Sequence, residues 1–81
     1  MDWRLRRAEP ADAAACSLIA GATFLEAFAG ILDGADIVAH VADKSGAANF
    51  AAWAADAASV VTLAEAPTGG APLGYSLLTT P

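Results

Sequence analysis

The last apolar segment of the chain, residues 72–80, has the composition of a β-strand and ends one residue before Pro81. A strand at the edge of a sheet exposes unpaired N–H and C=O groups, which proteins normally pair or cover. Only two other segments, residues 3–7 and 59–64, have strand character. We therefore expect the chain to be the opening part of a fold that a missing C-terminal half or a second chain completes.

The length of the chain limits it to one small domain, residues 1–81. A chain this short buries only about 60% of the surface that its unfolded form exposes, so it commonly needs a disulfide, a metal or a partner. The lone Cys16 excludes an internal disulfide, and one cysteine with one histidine is too few for a structural zinc site. A partner surface is the remaining source of stability, and a single cysteine fits a reducing, cytoplasmic location.

The charge of the chain also excludes some partners. A net charge of −5 argues against nucleic acid, because phosphate binding needs a basic surface. Glu9, Pro10 and Asp12 interrupt the apolar stretch that a signal peptide would need. Nor does any segment approach the roughly 18 uninterrupted apolar residues of a membrane helix. We expect a soluble protein with no membrane or nucleic-acid partner.

The first elements are predicted from the spacing of apolar residues. Residues 3–7 alternate, with Trp3 and Leu5 on one face and Arg4 and Arg6 on the other, which predicts a half-buried strand. Helical spacing then predicts a helix from residue 13 to about residue 29, stopped by Gly30. Two further helices are predicted over residues 35–44 and 47–55, the last carrying two aromatic residues on one face.

The C-terminal part predicts a hairpin. Residues 59–64 are rich in β-branched side chains, and residues 67–70, Pro-Thr-Gly-Gly, have the composition of a turn before the final strand. The second and third strands should therefore pair antiparallel. The resulting order, β-α-α-α-β-β, predicts an α+β fold.

Several segments, in this order, resemble the N-terminal half of a GNAT acyltransferase, a family of acetyl-CoA-dependent N-acetyltransferases. The similar segments are Leu-Arg-Arg-Ala-Glu-Pro-Ala-Asp-Ala at 5–13, Thr-Phe-Leu-Glu-Ala-Phe at 23–28, the aromatic third helix at 50–53, Val-Thr-Leu-Ala-Glu at 61–65, and the Gly-Tyr strand at 72–78. The resemblance implies a protein that transfers acetyl from acetyl-CoA to an amine. It covers nearly the whole chain.

The resemblance also implies what this chain lacks. The family binds the CoA pyrophosphate at a helix N-terminus with a Gln/Arg-x-x-Gly-x-Gly/Ala loop, and no segment here matches it. Gly69 and Gly70 lie in a predicted hairpin turn that no helix follows. We therefore expect no catalytic, cofactor-binding or metal-binding residues in this chain, and neither activity nor acetyl-CoA binding when it is isolated.

The resemblance implies that the chain supplies the acceptor side of the enzyme. The implied substrate-binding residues are Phe24, Phe28 and Ile31, near the end of the first helix, and Tyr75 on the last strand. Core packing is the alternative for both phenylalanines, and sheet packing is the alternative for Tyr75. The amine itself is not indicated.

The remaining polar and reactive residues have simpler interpretations. We expect His40 to be exposed and solvated on the second helix and Cys16 to pack as a small apolar residue. We expect Glu65 to be solvated, with no partner at the spacing that acid/base catalysis needs. The arginines at 4, 6 and 7 fit either an anion site or the charged outer face of an edge strand. An alternative function is a small non-enzymatic module that forms homo-oligomers through its exposed last strand.

Overall fold

The structure is a computed structural model, and it describes residues 3–79. Its strands are β1 (Arg4–Arg7), β2 (Ser59–Glu65) and β3 (Pro72–Thr79). Its helices are α1 (Ala13–Phe28), α2 (Gly34–Lys44) and α3 (Ala47–Ala55), with a 3-10 turn at Pro10–Asp12 leading into α1. The predicted α+β order and the C-terminal hairpin are confirmed.

The three strands form one antiparallel sheet in the order β1-β2-β3. Leu63 on β2 pairs with Arg6 on β1 and with Tyr75 on β3. Directly paired residues point to the same side of a sheet, so these three side chains share one face. A bulge between Ala64 and Glu65 shifts the register at the turn end of the hairpin.

The core lies between the sheet and the helices. Leu63, Val61, Cys16 and Phe50 are almost fully buried, with exposed fractions of 1–2%. Because β2 is the central strand and alternates buried with less buried residues, one face of the sheet packs on the helices and the other remains open.

The orientation of β1 differs from the prediction. All four of its residues are exposed, and Leu5, at 67% exposed, lies on the open face of the sheet. Arg6 instead points to the helix side, the side of Leu63. The apolar face of β1 was wrongly expected to be buried, because the partner that fixes Arg6 on the helix side, Asp12, lies in the next element.

The buried side of α1 includes Ala13, Cys16, Ile19 and Ala20. The apolar row that contains Leu18 and Leu25 is also at helical spacing, but these residues are 64% and 54% exposed. Periodicity identified the helix and did not decide which of its two neighbouring rows faces the sheet.

The continuous helical stretch Pro10–Phe28 has 19 residues and, by length and composition only, is long and apolar enough to cross a membrane. The stretch contains Asp12 and Glu26, so it is not the uninterrupted apolar run that was expected to be absent, although its mean hydropathy meets this criterion. A core helix and a signal sequence meet the same criterion. In the structure, α1 packs on α3 and β3 through its buried side.

The three helices differ in the elements that they pack against. α3 packs on β2 and on the 3-10 turn, α1 packs on α3 and β3, and α2 packs mainly on α1. The smallest dimension of the fold, 20 Å, is that of two layers. α2 is therefore attached to the rest of the fold mainly through α1.

Candidate functional site

Three aromatic rings meet where the end of α1 contacts α2. The rings of Phe24 and Phe28 have centroids 4.6 Å apart, and the ring of Phe24 stacks on that of His40 at 4.1 Å and 9°. Phe24 and Phe28 are half-buried, while His40 remains exposed. We call these three residues the aromatic cluster.

The aromatic cluster is positioned by the close approach of the two helices. A Cβ atom placed on Gly21 would lie 3.1 Å from Cγ1 of Val41, so glycine lets α2 lie against α1 at this point. The Ser17 hydroxyl donates a 2.6 Å hydrogen bond to the carbonyl of Ser45, which holds the other end of α2. These two contacts fix the line of contact between α1 and α2 along which Phe24 meets His40.

The end of α1 is fixed by glycine at Gly30, which adopts a φ of +83°. This left-handed conformation lets the backbone N–H groups of Ile31 and Leu32 bond to the carbonyl of Phe28, at 2.9 and 3.0 Å. Ile31 is thereby held next to the aromatic cluster with its side chain 73% exposed.

Tyr75 belongs to a different group of rings. Its ring meets Phe50 edge to face at 5.0 Å, and Phe50 meets Trp53 in the same manner at 5.2 Å. Tyr75 is 39% exposed, while Phe50 is 2% exposed. Of the predicted site residues, Phe24, Phe28 and Ile31 lie together, whereas the ring contacts of Tyr75 are with the core.

The charged residues of β1 are engaged in pairs. Arg6 donates two hydrogen bonds to Asp12, at 2.9 and 2.7 Å, and another to Glu65 at 3.1 Å. Arg4 also lies 3.5 Å from Glu65, and Arg7 donates to the carbonyl of Ser59. Glu65 was expected to be solvated, but its side chain is only 12% exposed and is paired with Arg4 and Arg6. An anion site at these arginines is not favoured.

These pairs affect the titration of Arg6 and Asp12. Hydrogen bonds to Asp12 and then to Glu65 hold the pKa of Arg6 above its ordinary value. The hydrogen bond from Arg6, followed by that from the backbone N–H of Glu9, holds the pKa of Asp12 below its ordinary value. The hydrogen bonds of Arg6 to Asp12 and Glu65 join β1 to the start of α1 and to the end of β2.

Among residues 3–79, Cys16 is poorly placed to act as a nucleophile. Cys16 is 1% exposed, and burial raises the pKa of its thiol, which is unfavourable for a nucleophile. Within residues 3–79, no three His, Cys, Asp or Glu side chains are grouped so that they could hold a metal ion.

The surface formed by residues 3–79 includes two apolar depressions. A groove of about 400 Å³ between α1 and α2 is almost entirely apolar. Its lining consists of Gly21, Leu25, Ile37, Val38, Val41 and Ala42. A second depression of about 330 Å³ spans all three strands of the sheet and includes Leu5, Ala64 and Gly74.

Comparison with models of known protein families, with curated proteins and with solved structures gave no match for this chain.

His40 is exposed, as the sequence predicted. The sequence did not predict that its ring stacks on that of Phe24. The four-residue spacing of Phe24 and Phe28 correctly predicted that these two rings of the aromatic cluster lie on one face of α1. The third ring is on a separate helix, and its contribution depends on the rotation of α2 that Gly21 and Val41 fix.

Proposed function

We propose that this chain forms the acceptor side of a GNAT-type N-acetyltransferase fold. The observation that carries the proposal is the aromatic cluster at the end of α1 with exposed Ile31 beside it. The resemblance implies acceptor binding at this position. The antiparallel order β1-β2-β3, with the helices inserted between β1 and β2, is compatible with the same assignment.

The role of these residues would be to bind and orient. In acetyl transfer the amine attacks the thioester carbonyl, and holding the two substrates in line supplies much of the rate enhancement. Half-buried rings and an exposed isoleucine suit the apolar part of an amine, and the negative net charge attracts its ammonium group. No residue of this chain is assigned the proton transfer.

The acetyl-CoA site is proposed to lie outside this chain. Acetyl-CoA would supply the acetyl group, but residues 3–79 do not fit its pyrophosphate. The pair Gly69 and Gly70 has positive φ values within the hairpin turn, and the next element is β3 rather than a helix. No step through the cofactor is assigned to these residues.

The acceptor site can be tested by titrating the 15N-labelled chain with 2-phenylethylamine, using 2-phenylethanol as the uncharged control. We expect amide shifts centred on residues 24–31 and 40, larger for the amine. The variant Phe24→Leu should reduce them, while Leu18→Ala, an exposed change on the same helix, should not. Shifts elsewhere, or equal shifts in both variants, would contradict the proposal.

The cofactor assignment has a separate test. Isothermal titration of the 81-residue chain with acetyl-CoA should show no binding, and clear micromolar binding would overturn the assignment. Sequencing the genomic DNA beyond the codon for Pro81 is a second test. A fourth strand followed by a Gly-x-Gly type loop and a helix would support the proposal.

A second candidate function is a non-enzymatic module that forms homo-oligomers through β3. It is favoured by the absence of charged residues on this strand of 8 residues, because charges normally protect an edge. Analytical ultracentrifugation separates the candidates. A defined dimer with a cooperative melt supports the module, and a monomer at high concentration argues against it.

A further inference from the structure

The side of α1 that faces away from the core is apolar and exposed. Cys16 and Ala20 belong to the buried core, and Leu18 lies two residues, or about 200° around the helix, from each of them. Leu18 is 64% exposed, and Leu25, about two turns further along, is 54% exposed. The two leucines of α1 therefore lie in contact with solvent, on the side opposite the core.

The exposed side of α2 continues this surface. The apolar groove of about 400 Å³ brings Leu25 together with Val38 and Ala42, and Val38 is 69% exposed. We call the exposed apolar residues on this side of the two helices the outer helix face: Ala14, Leu18, Ala22, Leu25, Ala35, Val38 and Ala42. None of the seven is charged, in a chain whose net charge is −5. Soluble monomers rarely leave a large contiguous apolar surface uncovered.

The total exposed area is also larger than a compact protein of this size requires. A folded protein of 8.1 kDa is expected to expose about 4,500 Å², and this chain exposes 5194 Å². The surplus, on the order of 700 Å², is close to the roughly 800 Å² that each partner buries in a standard interface. The chain therefore has enough surplus surface for one interface of ordinary size.

The open face of the sheet is a less suitable interface than the outer helix face. Arg7 lies two residues from Leu5 on β1, so both side chains are on that open face. Arg7 donates to the carbonyl of Ser59, and within residues 3–79 no carboxylate lies within ion-pair distance of it. Covering this face would bury a charge without a partner, which is strongly unfavourable. The outer helix face carries no such penalty.

The spacing of the outer helix face suits a second copy of the chain. Leu18 and Leu25 are seven residues apart, with Ala22 between them. An antiparallel pairing of two α1 helices about a two-fold axis near Ala22 would bring Leu18 of each chain against Leu25 of the other. The small alanine lets the helix axes approach to about 8 Å. Such a contact brings no like charges together, and interfaces between identical subunits are the more apolar class.

We propose that two copies of the chain associate through the outer helix face, with the two α1 helices antiparallel and the two α2 helices beside them. The four helices would form one layer between two sheets, and each groove would be covered by the other chain. The proposal does not rest on acetyl transfer. It also leaves the outer edge of β3 unused, so it differs from an oligomer that pairs through that strand.

Sedimentation equilibrium tests the association and its location. Leu18→Glu should weaken dimerisation at least tenfold, whereas Leu78→Glu, the same change on β3 at a side chain that is 71% exposed, should leave it within about twofold. Circular dichroism melts show whether both variants fold. A parent chain that stays monomeric at about 1 mM would overturn the proposal. A dimer weakened equally by both variants, or by Leu78→Glu alone, would overturn it as well.

A cysteine pair locates the two-fold axis without a charged variant. Ala22→Cys places a thiol near the axis, where the Cα atoms of two copies should approach within about 7 Å and a disulfide can form, with oxidised glutathione as the oxidant. Ala52→Cys, an exposed change on α3, is the matched control, and the buried Cys16 is common to both variants. We expect a covalent dimer with Ala22→Cys and none with Ala52→Cys. Equal cross-linking of the two variants, or cross-linking of Ala52→Cys alone, would contradict the proposal.

Discussion

Arg6 and Asp12 are joined by two hydrogen bonds, from Nη1 to Oδ2 at 2.9 Å and from Nη2 to Oδ1 at 2.7 Å. Oδ2 also accepts the backbone N–H of Glu9 at 2.9 Å, so the carboxylate caps the turn that leads into α1. One side chain thus connects the first strand to the first helix. It also explains why Arg6, rather than Leu5, points toward the helices.

The variant Asp12→Asn should lower the melting temperature at neutral pH by about 4–8 °C, which corresponds to about 1 kcal/mol lost when the charged pairing with Arg6 is weakened in a small domain. Differential scanning calorimetry measures the change. Glu26→Gln, which removes an exposed carboxylate from α1, is the matched control and should have little effect. Equal shifts in the two variants would show that net charge, not the pair, is responsible.

The same pair predicts a pH dependence. Folding lowers the pKa of Asp12, so its stabilising contribution is present above the unfolded-state pKa of about 4 and is lost as the pH falls through the lower folded-state value. The stability difference between the parent chain and Asp12→Asn should therefore shrink as acid is added. Urea titrations at a series of acidic pH values measure it, and a constant difference would contradict the assignment.

Two leucines on paired strands should respond very differently to truncation. Leu63→Ala removes a side chain that is 1% exposed and should cost about 2–5 kcal/mol, enough to unfold much of the protein. Leu78→Ala truncates a side chain that is 71% exposed and should change stability by no more than about 0.5 kcal/mol. Urea unfolding followed by circular dichroism compares them. A large cost at Leu78 would show that the open face is covered in solution.

Two glycines beside α2 should also differ. Gly30 has a φ of +83°, so Gly30→Ala forces a side chain into the left-handed region at a cost of about 1–2 kcal/mol. Gly34 begins α2, and a Cβ atom added there would meet no other atom within 4 Å, so Gly34→Ala should leave stability unchanged or raise it. Thermal melts test both, and similar destabilisation would argue against the described end of α1.

The thiol of Cys16 should be protected in the folded chain. It is 1% exposed, and burial raises its pKa, so little thiolate is accessible at mildly alkaline pH. Reaction with Ellman's reagent should be slow without denaturant and become fast when urea unfolds the chain. Rapid labelling of the native protein would mean that α1 separates readily from the sheet.

The aromatic cluster shows how far the candidate site could be predicted. Helical spacing placed Phe24 and Phe28 on one side of α1, and Gly30 correctly marked the stop that holds Ile31 beside them. The stacking of His40 on Phe24 was not predictable in this way, because it depends on the distance and rotation of a second helix. Local sequence patterns determine neither the distance nor the rotation of α2 relative to α1.

The sequence by itself determined the order of the elements and the hairpin, since both follow from local spacing, turn residues and helix stops. Only the tertiary structure decided which faces are buried. Leu5 and Leu18 are as apolar as any core residue, yet both are exposed, while Arg6 points to the helix side. The physical reason is that a face is buried by what packs against it, and the partners of Arg6, Asp12 and Glu65, come from two other elements.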